Sequence, residues 1–236
     1  MNKLSFILKS FSGLSLFRFL TIITEVKIQW LFKNQKSILK DKKIHKFNFR
    51  YKRNLTIHLR KQDLPTFFEV FYNEIYKTTW FDKKKLEIVI DLGAHVGFTS
   101  LYYNVLFPEA NIICVEPSEE NQKILRLNLP HCKIINAAIS NSDGNSKLNT
   151  SSKSVNYKID EIGEVIETIT FNSLLKSLEI TNVDLLKIDI EGAESLMMES
   201  IDLWNEKVDH LIIECHNNES LIEPQLKSTK IKYRIV

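Results

Sequence analysis

Glycine and proline are scarce in this chain, at 6 and 5 of 236 residues. That excludes collagen-like and low-complexity architectures, and it makes each glycine a marked position. Cysteine is scarce too. Cys114, Cys132 and Cys215 all sit in apolar runs, show no metal-ligand spacing, and are odd in number, so they cannot all pair within the chain. Free buried thiols in a reducing cytoplasm are the expectation. A long apolar run is also missing from the front of the chain. Residues 4–32 are interrupted by Lys9, Arg18, Glu25 and Lys27, and their longest uncharged piece is Ser10 to Phe17. That piece falls far short of the roughly 20 residues of a membrane span. No small-residue cleavage site follows it, so a cytoplasmic rather than a secreted protein is expected. An amphipathic helix, packed on the main domain or lying on a membrane surface, suits the segment better.

Charge is present in abundance but unevenly placed. Residues 1–85 carry 19 Lys and Arg against 6 Asp and Glu, whereas residues 86–236 carry 13 against 23. A basic front part therefore precedes an acidic main domain. The basic part can meet an anionic glycan, a membrane surface or a partner glycosyltransferase. Its density from Lys33 to Arg53, beside Phe47, Phe49 and Tyr51, carries no nucleic-acid-binding motif, so no specific nucleic acid is expected.

The pattern along the chain divides it at about residue 62. Before that, Ile44, Lys46, Asn48, Arg50 and Lys52 alternate with His45, Phe47, Phe49 and Tyr51, and Leu55, Ile57 and Leu59 alternate with polar residues. This predicts a hairpin turning near Lys52-Arg53-Asn54. Pro65 opens a helix whose apolar stripe runs through Phe67, Phe68, Phe71, Ile75 and Tyr76. Beyond residue 86, strand and helix alternate. Strands are predicted at 88–90, 111–116, 132–138, 183–190, 208–215 and 231–236, and helices start near Phe98, Ser118, Phe171, Ala193 and Ser220. Asp143-Gly144 reads as a turn between short strands. Such alternation specifies a doubly wound α/β fold, a mostly parallel sheet with helices on both faces.

Ligands in that architecture lie beyond the carboxyl ends of the strands. Those ends carry Asp91, Glu116, Ala137-Ala138, then Lys187, Asp189 and Glu191, and finally Glu214 and His216. Gly93 and Gly97 bracket the turn after Asp91, where the backbone can approach a ligand and the following helix offers free N–H groups. A dinucleotide is argued against by spacing. Its Gly-x-Gly-x-x-Gly fingerprint, counted from Gly93, would need glycine where His95 and Phe98 stand. The concentrated negative charge is also poor company for a diphosphate. Glu116 lies where a carboxylate can accept the hydroxyls of a ribose, so a nucleoside cofactor with a positive centre, S-adenosylmethionine, fits better.

Val89-Ile-Asp-Leu-Gly-Ala-His-Val-Gly97, Glu116-Pro117, Ala137-Ala138 with Asp143-Gly144, Leu186-Lys-Ile-Asp-Ile-Glu-Gly-Ala-Glu194 and Ile212-Ile-Glu-Cys-His216 together resemble the FkbM family of S-adenosylmethionine-dependent methyltransferases. The resemblance spans about Asp63 to His216 in order and spacing. It implies a class I, Rossmann-like methyltransferase domain over residues 63–236, behind an extension formed by residues 1–62. It also implies cofactor contacts at Asp91, Gly93, His95 and Gly97 for the methionine part, at Glu116 for the ribose, and at Ala137, Ala138 and Asp143 along the adenine. Asp189 and Glu191 would face the transferable methyl and the acceptor, and His216 would be a further candidate base. The implied reaction is O-methylation of a sugar in a glycan or surface polysaccharide, or of a secondary metabolite. His95 stands where the family usually has Asn, and Phe171-Asn-Ser stands where Leu-Asp is usual. The family usually closes its sheet with an antiparallel hairpin, and after His216 there is room for about one strand. No metal is expected, although Asp189, Glu191 and Glu214 have the oxygen ligands a hard cation takes. A non-catalytic protein keeping this fold as a binding platform, and a nicotinamide-dependent oxidoreductase, are the alternatives.

Overall fold

The computed structural model describes residues 2–31, 42–82, 85–149, 158–160 and 163–236. Much of the lysine-rich stretch after Lys33, Lys83-Lys84 of the basic linker, and most of the polar segment around residues 150–157 lie outside them.

The central sheet has six strands, all parallel: β3 (Ile88–Leu92), β4 (Asn111–Val115), β5 (Lys133–Ile135), β10 (Val183–Ile188), β11 (Val208–Ile213) and β12 (Lys232–Ile235). The spatial order is β12-β11-β10-β3-β4-β5. The chain thus winds outward from β3 in one direction, then returns to β10 on the other side of β3 and winds the opposite way. The crevice between β3 and β10 is the switch point where such folds bind ligands. The strands form because short β-branched runs, buried on both faces, satisfy each other's backbone groups. All six residues of β10 are buried, Lys187 among them. The last strand pairs parallel with β11, so the antiparallel edge usual in the family does not occur at this position.

Alternate residues of each strand feed two cores. On one face, Val89, Ile112 and Leu185 join α4 (Phe98–Leu106), α5 (Glu119–Asn128) and the N-terminal elements. On the other, Ile90, Ile113, Leu186 and Leu211 pack with α6 (Phe171–Ser177), α7 (Glu194–Met198) and α8 (Glu219–Lys227). Helices therefore cover both faces.

The front of the chain is a second layer on the first of these faces. Two helices, α1 (Lys3–Ser10) and α2 (Gly13–Leu31), precede the antiparallel hairpin β1 (His45–Tyr51) and β2 (Arg53–Leu59), and α3 (Leu64–Phe71) follows it. Where one amphipathic helix was expected, the chain breaks at Phe11, which adopts extended backbone and stacks on Phe19 at 4.1 Å between ring centroids. Burying that ring outweighs continuing the helix. The predicted helix from Pro65 to Tyr76 also stops early. Glu74 adopts a left-handed conformation (φ 51°), and Tyr76 turns inward to be only 3% exposed.

The short strands expected about Asp143-Gly144 belong to a second, separate sheet. It comprises β6 (Ala138–Ile139), β7 (Gly144–Asn149), β8 (Lys158–Asp160) and β9 (Glu164–Ile169), ordered β6-β9-β7-β8. The predicted strand 132–138 is split between the two sheets. Ile135 ends its part in the central sheet and Ala138 begins the other.

Candidate functional site

The loop after β3 is built around a buried ion pair. Asp91 is fully buried, with one carboxylate oxygen accepting from Ser100 Oγ at 2.6 Å and the other 3.0 Å from Lys187 Nζ. Lys187 also donates to the Gly93 carbonyl at 2.9 Å and lies 3.4 Å from Asp189. Burial alone would lower its pKa, but the charges of Asp91 and Asp189 raise it instead, so it stays a cation. Asp91 therefore reaches the crevice through Lys187 and the loop backbone. Gly93 sits at φ 75°, and a Cβ there would lie 1.8 Å from the Asp189 carbonyl oxygen. The glycine is what lets the β3 and β10 loops touch. Gly97, at φ 85°, is the N-cap residue of α4.

Glu116, after β4, is 5% exposed and accepts three N–H groups: from the His95 backbone at 2.8 Å, the Ser118 backbone at 2.9 Å and Asn121 Nδ2 at 3.1 Å. Burial raises its pKa, and the nearby His95 together with these donors partly offset the rise. His95 thus serves Glu116 through its backbone, while its ring Nε2 lies 3.4 Å from Asp63. Asp63 is in turn held by Arg60 in a fully buried pair at 2.9 Å. Ala137 and Ala138 are buried, and next to them Asn136 Oδ1 accepts from Gln122 Nε2. Asp143 is exposed and accepts from the Thr170 backbone at 2.6 Å and from Ser173 Oγ at 2.7 Å, fixing the start of α6. The Ser173 hydroxyl and the Thr170 N–H lower its pKa.

The third group lies past β10 and β11. His216 Nδ1 lies 2.9 Å from Glu194 Oε1, and its Nε2 lies 3.5 Å from Glu191 Oε2 and 3.9 Å from Asp189 Oδ1. Glu194 is fully buried, and it also accepts from the Ile190 and Gly192 N–H groups and from Asn218 Nδ2. Burial would raise its pKa, but His216, Gly192 and Asn218 hold it down at about 2. The bond to Glu194 and the charges of Glu191, Glu194 and Asp189 in turn raise His216 to about 9 against its partial burial. Glu214 is raised first by burial and then by Asp189. Its carboxylate lies 2.7 Å from the hydroxyl of Tyr76, which is also 3.1 Å from Asp189. Asp189, Glu191 and His216 are thus brought together at the switch point, partly exposed and accessible to a ligand.

A family model described as the methyltransferase FkbM domain matches residues 91–228. The chain belongs to the FkbM methyltransferase family. A curated relative, methyltransferase sdnD of Sordaria araneosa, is 24% identical over 206 residues, covering 68% of this chain and 79% of that protein. A solved structure of a presumptive RNA methyltransferase, PH1948 of Pyrococcus horikoshii, aligns with a TM-score of 0.27 at 18% identity over 53% of this chain and 48% of that one. With the six-stranded parallel sheet and its flanking helices, this FkbM protein has a Rossmann-like class I methyltransferase fold. Among its described residues no helix is long and apolar enough to cross a membrane.

Several residues packed around these groups were missed in the sequence. Tyr76 reads there as one more ring of a core-facing stripe, and only the turn at Glu74 aims it at Asp189. Arg60 and Asp63 lie at the end of a basic segment, with nothing local to show that both are buried. Glu194 stands inside the Lys187-to-Glu194 motif, but its part in orienting His216 depends on a contact across 22 residues.

Proposed function

We propose that this protein transfers a methyl group from S-adenosylmethionine to a hydroxyl group of a sugar in a glycan or surface polysaccharide, or of a secondary metabolite. The observation that carries the reading is the meeting of Asp189, Glu191 and His216 at the switch point, beside the loop after β3. The residues present suit the cofactor. Glu116 is a buried carboxylate at the end of the strand next to β3, suited to ribose hydroxyls, and the acids at the ends of β10 and β11 suit a cationic centre. When bound, S-adenosylmethionine supplies an electrophilic methyl on a sulfonium that leaves as a neutral thioether. What the chain must do is align the acceptor hydroxyl and take its proton. Asp189 and Glu191 are the proposed bases. His216, held through Nδ1 by the buried Glu194, is assigned to positioning them.

One feature favours a second reading. The strand order places this sheet in the same class as nicotinamide-dinucleotide folds. The glycine pattern after β3 opposes it, and a single titration separates the two. Calorimetry with S-adenosylhomocysteine should give saturable binding that Glu116→Ala abolishes, while NADH gives none. Binding of NADH in place of S-adenosylhomocysteine would overturn the proposal. The front helices are proposed to meet an anionic membrane surface, because Leu14 and Phe17 are 63% and 69% exposed in a segment that also carries Lys9 and Arg18.

A further inference from the structure

We propose that Asp189, Glu191 and His216 form a site for one divalent transition-metal ion of the Mn²⁺ type, which would hold an oxygen of the acceptor. The role toward the acceptor rests on the methyl-transfer reading above, whereas the metal site itself does not. One ligand atom from each of the three residues lies within 4.8 Å of the others. The separations suit a bridging ion. His216 Nε2 is 3.5 Å from Glu191 and 3.9 Å from Asp189, both longer than the roughly 2.7–3.2 Å of an N–H···O bond. Two ligand atoms each about 2.1 Å from a shared ion are separated by roughly 3–4.2 Å as the angle between them opens from a right angle to a straight line. Both gaps to His216 fall in that range.

The other ring nitrogen supplies the second argument. Nδ1 lies 2.9 Å from Glu194, a fully buried carboxylate that backbone N–H groups and Asn218 hold in place. A metal-ligating histidine characteristically donates its remote N–H to such a carboxylate, which fixes its tautomer and aims the other nitrogen at the ion. A plain His216–Glu194 pair explains the 2.9 Å contact. Glu191 and Asp189 are turned toward the opposite nitrogen, where one ion could be shared by all three groups. The turn that brings Glu191 there is itself unusual, with φ 54° at Glu191 and 100° at Gly192. Glu214, the oxygen ligand suggested by the sequence, is instead within hydrogen-bond distance of Tyr76. An imidazole among carboxylates favours Mn²⁺, Fe²⁺ or Zn²⁺ over Mg²⁺ or Ca²⁺, which prefer all-oxygen shells. The three ligand side chains are 17–23% exposed, which leaves an approach for an acceptor oxygen.

The test is titration of the chelator-stripped full chain with Mn²⁺, followed by electron paramagnetic resonance. One Mn²⁺ should bind per chain, with electron spin-echo modulation from an imidazole nitrogen. His216→Gln should remove that modulation and weaken binding at least about tenfold, and Glu194→Gln should weaken it by about 10–100-fold. Glu191→Gln, at a partly exposed position, should also weaken binding and keeps the test open if the His216 variant misfolds. Glu223→Gln, in an exposed pair with Lys227, should change nothing. No stoichiometric binding, no nitrogen modulation in the parent chain, or equal affinity in the parent and Glu191→Gln would each overturn the proposal. S-adenosylhomocysteine binding measured on the same preparation keeps failure of the metal site distinct from failure of the methyl-transfer reading.

Discussion

Asp63 shows how a single residue can matter without being legible in sequence. It follows a basic hairpin with nothing local to mark it as buried, yet it is 0% exposed and holds the equally buried Arg60. Burial alone would raise its pKa, but the contacts with His95 and Arg60 outweigh this and lower it. A depressed carboxylate contributes stability that is complete above its ordinary pKa near 3.8 and drains away as pH falls toward the folded value. Asp63→Asn should therefore cost about 3–5 kcal/mol at pH 7, since it removes the buried guanidinium's bidentate partner and leaves the more distant Glu120 as its counter-charge. In urea unfolding the gap between parent and variant should narrow at pH 3, and a gap that persists unchanged would remove the ion pair as its cause. The same cluster explains His95. Its left-handed backbone (φ 50°) tolerates Asn, and the bond it gives Glu116 is made by its backbone N–H. His95→Asn, the family's usual residue, should keep S-adenosylhomocysteine affinity within about threefold, given that the backbone N–H bond to Glu116 is kept.

Elements were legible where burial dictates their composition. Strands β3, β4, β10 and β11 are predominantly apolar because they are covered on both faces, and the hairpin alternates because only one face is covered. The second sheet was legible only as short strands about a turn, since Gly144–Asn149 and Lys158–Asp160 are short and polar and pair with partners distant in sequence. The contact between elements at Gly93 is equally invisible from composition. Gly93→Ala should cost about 3 kcal/mol or more, because a Cβ collides with the β10 loop and the left-handed φ adds strain. Gly192→Ala, where nothing lies within 4 Å, should cost only the strain, about 1–2 kcal/mol. Thermal denaturation of the two variants measures the difference, and equal losses would refute the collision. The front helices make a prediction of their own. Replacing Leu14 and Phe17 by Ser should reduce sedimentation with phosphatidylserine vesicles more than tenfold, as each buried side chain is worth about 1.5–3 kcal/mol. Equal sedimentation, or none by the parent chain, would remove the membrane from the list of partners.

For the molecule as a whole, the charge boundary between residues 1–85 and 86–236 suggests a detachable basic module, whereas the packing argues for one body. Phe67 of α3 meets Phe6, Phe11, Phe19 and Phe49 from the front on one side and Phe98 of the sheet layer on the other, with centroids 5.1–6.3 Å apart. Ion pairs cross the boundary in the same sense, with Lys42 3.0 Å and Arg60 3.8 Å from Glu120. The exposed pair contributes little, so the aromatic layer decides the outcome. Truncating one buried Phe costs about 3–5 kcal/mol, against a whole-domain stability of about 5–15 kcal/mol. Deleting residues 2–62 removes Phe6, Phe11, Phe19, Phe47 and Phe49 together and bares the face on which Phe67, Phe71 and Phe98 lie. The shortened chain should lose cooperative unfolding by circular dichroism and should bind a hydrophobic dye. A sharp transition at the parent's denaturant midpoint would show instead that the sheet and the site at its β3–β10 crevice stand without the front layer.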